Sequence, residues 1–88
     1  VVRRRLVIHG RVQGVFFRDT LRTLAGRYGV AGWARNTPEG RVETVLEGDE
    51  DAVARLSAFA WEGPEGARVE RVDERDEEPQ GLSGFSIR

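Results

Sequence analysis

The chain has 88 residues, of which 39% are hydrophobic and 33% charged, with a formal net charge of −1; that is the length of one small soluble domain, residues 1–88, burying roughly 60–65% of its unfolded surface. With no cysteine and one histidine, His9, disulfides, thiolate or multi-histidine metal sites and thiol nucleophiles are excluded. No apolar run approaches the ~18 residues of a membrane span, and a near-neutral charge gives no argument for bulk electrostatic binding of nucleic acid.

The start, Val1-Val2-Arg3-Arg4-Arg5, is basic without a long apolar stretch behind it, so no secretory leader is expected and the cytoplasm is the expected compartment. All 14 cations are Arg, Met is absent and Asn occurs once. Few labile side chains among many charges fit a heat-adapted protein; a GC-rich genome also favours Arg over Lys.

In chain order, residues 2–10 read as a first strand, with Leu6 and Ile8 on one face and Val7 and His9 on the other. A glycine-bearing loop follows through Phe16. Phe17, Leu21, Leu24, Ala25 and Tyr28 then fall on one face of a helix of about three turns, and Gly29 is its expected stop. Gly26 either weakens this helix or permits a close approach to the sheet.

Residues 30–35 and 41–47 read as a hairpin of two strands around the turn Asn36-Thr37-Pro38-Glu39-Gly40. Asp49 is the expected N-cap of a second helix, with Glu50 and Asp51 in its first turn. Ala52, Val53, Leu56, Phe59 and Ala60 supply its apolar stripe, and Gly63-Pro64-Glu65-Gly66 ends it. Residues 67–74 read as a fourth strand, 79–81 as a loop, and Phe85 and Ile87 mark a short terminal strand.

The order β-α-β-β-α-β plus a short strand is the ferredoxin-like α+β arrangement: two helices on one face of an antiparallel sheet ordered 4-1-3-2. In that order the first and fourth strands pair antiparallel. Arg3, Arg4 and Arg5 are then expected beside Asp73, Glu74, Asp76, Glu77 and Glu78 as cross-strand charge partners.

Two segments carry chemistry. In Gly10-Arg11-Val12-Gln13-Gly14-Val15-Phe16-Phe17-Arg18 a loop leads into a helix N-terminus, where successive N–H groups and the helix dipole favour an anion. Arg18 stands in the first helical turn, against the dipole, where its planar fork suits phosphate or carboxylate; the plainer alternative is a surface Arg on a βα turn. The loop matches neither G-x-x-x-x-G-K-[ST] nor G-x-G-x-x-G. The only Asn, Asn36, ends the second strand at the same sheet edge, two strand spacings or roughly 9–10 Å away. It faces Arg18 across a small anion and a water, or merely forms the turn.

These two segments resemble the signature loop of the acylphosphatases and their second, Asn-bearing motif, Gly32-Trp33-Ala34-Arg35-Asn36-Thr37-Pro38-Glu39-Gly40-Arg41-Val42-Glu43. Glu39 stands where this family often has Asp, a change expected to touch only the turn. The resemblance implies a hydrolase that cleaves acyl phosphate to carboxylate and inorganic phosphate, without cofactor, metal or covalent intermediate. It implies that Arg18 and the N–H groups of Gln13, Gly14, Val15, Phe16, Phe17 and Arg18 bind the phosphate, that Asn36 orients the attacking water, and that the phosphate product inhibits. A monomer without nucleic-acid or membrane partners is expected.

The remaining residues of note take plainer expectations. Thr37 serves the turn or offers a hydroxyl to the site, and His9 lies on the open sheet face. The side chains of Phe16 and Phe17 are expected to pack in the core and loop, with substrate contact as the alternative. Trp33 and Trp61 are expected to pack. Arg11 and Arg35 are expected as surface cations, with a raised positive potential near the site as the alternative. Three other functions compete. An RNA-binding module on this fold needs exposed aromatics on central strands, and the third strand has none. A non-catalytic anion sensor is compatible with the fold alone. A segment of a larger maturation enzyme would be expected beside zinc-binding cysteines.

Overall fold

A computed structural model describes residues 1–88. The elements run β1 (Val2–Arg11), α1 (Phe17–Tyr28), β2 (Ala31–Asn36), β3 (Val42–Gly48), α2 (Glu50–Glu62), β4 (Arg68–Glu77) and β5 (Phe85–Ile87). One sheet is ordered β4-β1-β3-β2-β5. Its first four strands are antiparallel neighbours, as the charge and hydropathy patterns require. The short terminal strand, whose partner and direction the sequence left open, runs parallel to β2 at its outer edge, pairing Gly32 with Phe85 and Ala34 with Ile87. No helix is long and apolar enough to cross a membrane.

The core lies between the helices and one sheet face. Leu6, Ile8, Val42 and Leu46 meet Phe17, Leu21 and Ala25 of α1 and Val53, Leu56 and Ala60 of α2, all buried. Each such side chain contributes on the order of 1.5–3 kcal/mol of transfer free energy. Both helices end at positive-φ glycines, Gly29 and Gly63. Asp49 caps α2 only through its backbone carbonyl, which accepts the Val53 N–H at 2.9 Å; its carboxylate makes no capping bond. Its charge, with those of Glu50 and Asp51, still favours the positive helix end. Gly26 is not a point of close approach, since an added Cβ would meet nothing within 4 Å.

The arginine and acidic runs are sheet partners. The register places Arg3 opposite Glu77 and Arg4 opposite Asp76. Arg3 donates to Glu77 at 2.9 Å, Arg4 to Asp76 at 3.3 Å, and Arg5 to Glu77 at 2.8 Å. Two of the expected acids do otherwise: Asp73 pairs with His9 and Arg71, and Glu78 lies beyond the end of β4. The tightest partners come instead from β3. Arg3, 4% exposed, donates to Glu47, 3% exposed, at 2.7 Å, and Arg5 donates to Glu43 at 2.6 Å.

Candidate active site

β1 ends in a bulge where its register with β4 shifts between His9 and Gly10. Gly10 has φ 125°, and a Cβ there would fall 2.1 Å from the Arg68 carbonyl oxygen, so only glycine lets the chain turn this close to β4. The loop of residues 12–16 follows. Val12 pins it into the core. The Gln13 side-chain amide donates to the carbonyls of Thr37, at 2.9 Å, and Arg41, at 3.0 Å, tying the loop to the β2–β3 turn.

Gly14 and Phe16 take left-handed φ values of 75° and 62°. Outside the helices and strands nine backbone hydrogen bonds form, and none is donated by residues 12–16. Nor does a side chain accept from them; the backbone N–H groups so bonded belong to Arg41, Gln80 and Leu82. The N–H groups of residues 12–16 thus have no acceptor within the chain, whereas Thr20 N–H, in the first turn of α1, donates to the Phe16 carbonyl at 3.0 Å.

The ring of Phe17 is buried against Phe59, with centroids 5.6 Å apart, and fixes the start of α1. Arg18 follows on the outer side, its Nη1 donating a long 3.4 Å bond to the Arg88 carbonyl. Asn36 ends β2 opposite Val42. The turn beyond it is closed by the Thr37 N–H on the Arg41 carbonyl at 2.8 Å. The Thr37 hydroxyl accepts the Arg41 N–H at 3.1 Å. Thr37 thus serves the turn.

One pocket of about 260 Å³ gathers these pieces, lined by Val12, Gly14, Phe16, Phe17, Arg18, Asp19, Asn36 and Ile87. Arg18 and Asn36 share it, across the sheet edge where strand order places them. The side chains of Gln13 and Val15 do not line it: Gln13 is turned to the hairpin and Val15 packs against the core. His9, Arg11 and Arg35 also lie outside it. His9 is on the open face against Asp73 at 2.8 Å, and Arg35 donates to Glu43 at 2.6 Å.

Two packing expectations are overturned. Phe16 is 76% exposed, because its left-handed backbone throws the ring outward while Phe17 takes the inward position. Trp61 is 51% exposed and donates its indole N–H to Glu74 at 2.9 Å, using its polar edge rather than its rings. Trp33 does pack, beneath the guanidinium groups of Arg5 and Arg88, 5.5 and 4.4 Å from the ring centroid.

Two lining residues beyond the signature loop and the hairpin, Asp19 and Ile87, were not read as part of the site. Asp19 carried a signal, being the neighbour of Arg18 at a helix N-terminus, where acids are favoured; it pairs with Arg22 at 3.1 Å. Ile87 carried none, because only the pairing of β5 with β2 brings it to the pocket.

Comparison with known proteins agrees with this geometry. The family model described as acylphosphatase matches residues 4–87. The acylphosphatase of Thermococcus kodakarensis is 51% identical over 86 residues, covering 98% of this chain and 94% of that protein. The crystal structure of acylphosphatase from Bacillus subtilis superposes with a TM-score of 0.94 at 32% identity, covering 99% of this chain and 98% of that one. Full-length HypF, in a phosphate- and nucleotide-bound form, matches with a TM-score of 0.90 at 26% identity, over 98% of this chain but 11% of its own. The match to the family takes in the loop, the hairpin and nearly every residue of the sheet between them, so the chain belongs to the acylphosphatase family and hydrolyses acyl phosphates.

Proposed function

We propose that the pocket between the loop and the hairpin is where the acyl phosphate is cleaved. Arg18 and the N–H groups of residues 13–18 take the phosphoryl oxygens, and Asn36 orients the water. The observation that carries this is a single pocket lined by Gly14, Arg18 and Asn36, beside a loop whose N–H groups have no acceptor within the chain.

The chemistry asked of these groups is limited. The water oxygen bonds to phosphorus as the bond from phosphorus to the acyl oxygen breaks, and the carboxylate leaves with that bond's electron pair. Both protons of the water end on phosphoryl oxygens, so acyl phosphate dianion and water give carboxylate and dihydrogen phosphate. A carboxylate is a good leaving group and needs no acid. Catalysis is then positioning plus stabilisation of charge on the equatorial oxygens. A guanidinium and converging amides supply the second. The Asn36 side-chain carbonyl accepts a hydrogen bond from the water and so aims it, without removing its proton. Inorganic phosphate, held by the same donors, inhibits as product.

The test is hydrolysis of benzoyl phosphate by the purified protein in EDTA. Activity is expected to persist. Arg18→Ala and Asn36→Ala are each expected to lower turnover by roughly 10²-fold or more, as for loss of a transition-state donor. Arg18→Ala should also weaken inhibition by inorganic phosphate, and Asn36→Ala should leave it nearly unchanged. Equal loss of phosphate inhibition in both variants would contradict the division of roles. An inactive wild type that still binds phosphate would point to an anion-binding module.

A further inference from the structure

Phe16 stands out from the other exposed large apolar side chains. Those are Val1, Tyr28 and Trp61. Val1 is the first residue, Tyr28 carries the Arg55 guanidinium 5.4 Å over its ring, and Trp61 bonds to Glu74. Phe16 pairs with no aromatic ring or cation. It is also the only non-glycine residue at positive φ, a conformation that an aromatic side chain adopts at a cost. The fold gains nothing visible from the ring: glycine would meet the backbone requirement more cheaply, and a polar residue would suit the exposure.

The ring's position explains it. Phe16 and Ile87 line the pocket together with Val12, Gly14, Phe17, Arg18, Asp19 and Asn36. The lining therefore combines donors for an anion with apolar residues, and an acyl phosphate combines the same two characters. Asp19 also borders the pocket and makes it unwelcoming to an acyl chain with a further negative charge.

Resting on the assignment of the pocket above, we infer that the Phe16 ring, with Ile87, is the acyl subsite of this enzyme. It selects acyl phosphates with an uncharged, flat apolar acyl group over short ones. The two halves of Phe16 then have separate tasks. Its backbone N–H joins the phosphate cradle, and its side chain covers one face of the acyl group, excluding water from it.

The test compares kcat/KM for benzoyl phosphate and acetyl phosphate in wild type, Phe16→Ala, Phe16→Gly and Phe16→Leu, with inhibition by inorganic phosphate measured in each. Wild type is expected to favour benzoyl phosphate. Phe16→Ala should lower kcat/KM about tenfold for benzoyl phosphate, in the range for losing one apolar contact in a pocket, and about twofold for acetyl phosphate. Phe16→Leu should fall between. Phe16→Gly, which accepts the left-handed backbone without strain, should lose the preference as Ala does.

An unchanged benzoyl-to-acetyl ratio in both small variants would overturn the inference. So would a wild-type ratio restored by Gly but not by Leu, since the cause would then be loop geometry. A parallel loss of phosphate inhibition in Phe16→Ala and Phe16→Gly would overturn it too. A wild type inactive on both substrates would remove the pocket assignment itself, an outcome separate from an active enzyme with an unmoved ratio.

Discussion

Gln13 gives its whole side-chain NH₂ to the carbonyls of Thr37 and Arg41, 24 and 28 residues along the chain. It thereby ties the loop proposed to take the phosphate to the turn that follows Asn36. On that proposal it is a positioning residue, and its removal should act on the water rather than on the anion. Gln13→Ala is expected to lower kcat about tenfold, since sub-ångström misplacement of reacting groups costs one to two orders of magnitude. Inhibition by inorganic phosphate should change less than twofold. Gln13→Glu, which sets a carboxylate against two carbonyl oxygens, should be worse than Ala. Equal losses in kcat and phosphate affinity would reduce Gln13 to a general prop of the loop. That Arg18 and Asn36 share one sheet edge was legible from the strand order, and each draws notice by breaking a local rule: a cation opposes a helix dipole, and a single Asn survives in the chain. The target of Gln13 was not legible, because nothing local encodes a bond across 24 residues. The outward turn of Phe16 was hidden for another reason, since a left-handed aromatic is rare enough that its ring is read as core.

At the scale of elements, the hydrophobic periods carried both helices and the four longer strands, and the loop and hairpin lengths carried their order. β5 is different. Three residues give too little alternation to define a register, and its place depends on bonds made elsewhere. Gly32 N–H donates to the Gly84 carbonyl at 2.9 Å, and Arg88 N–H to that of Ala34 at 2.8 Å. Glu47 accepts the N–H groups of Gln80 and Leu82, at 3.0 and 3.1 Å, holding the segment that leads into the strand. β2 thus bears Asn36 at its end and Ile87 through its neighbour. Gly32 is the tight point of β2, with φ 144° and an added Cβ 1.8 Å from the Val45 carbonyl oxygen. Gly32→Ala must push β2 from β3 and is expected to cost about 3 kcal/mol or more, above the usual range for a single substitution. Activity should fall with it, because two pocket walls hang on this strand. Gly26→Ala, in the open middle of α1, should instead stabilise by about 0.5–1 kcal/mol. Urea unfolding of both variants checks the pair, and a Gly32→Ala protein as stable as wild type would deny the close approach.

The molecule as a whole has a helical layer on one face of its sheet and a web of charges on the other. Glu77 receives Arg5, Arg3 and Arg75; Glu43 joins Arg5 to Arg35; and Glu47 holds Arg3. The near balance of 14 cations and 15 anions is therefore spatial as well as numerical. The cross-strand share of this web followed from the order of the strands, whereas its deepest pair, Arg3 with Glu47, did not. An acid inside an apolar strand is read as solvent-facing until an arginine is known to lie opposite. The web makes stability depend on acid in a defined window. Hydrogen bonds from Arg5, then Arg3 and Arg75, hold the Glu77 carboxyl at about 2, down from an ordinary 4.5. Burial pushes Glu47 and Glu43 up. Arg3 with the Gln80 and Leu82 N–H groups for Glu47, and Arg35 with Arg5 for Glu43, outweigh it and leave both lowered. A carboxylate depressed in the folded state binds fewer protons there than in the unfolded chain. Its stabilisation is complete above the unfolded value and disappears as pH falls through the folded one. For Glu77 that window runs from about pH 4.5 down to about 2. Glu77→Gln should then be less stable than wild type by a constant margin above about pH 5, and the margin should shrink toward zero near pH 2. Urea midpoints at pH 7, 4, 3 and 2 measure it. A margin that stays constant across the whole range would mean that Glu77 contributes through packing and not through its charge.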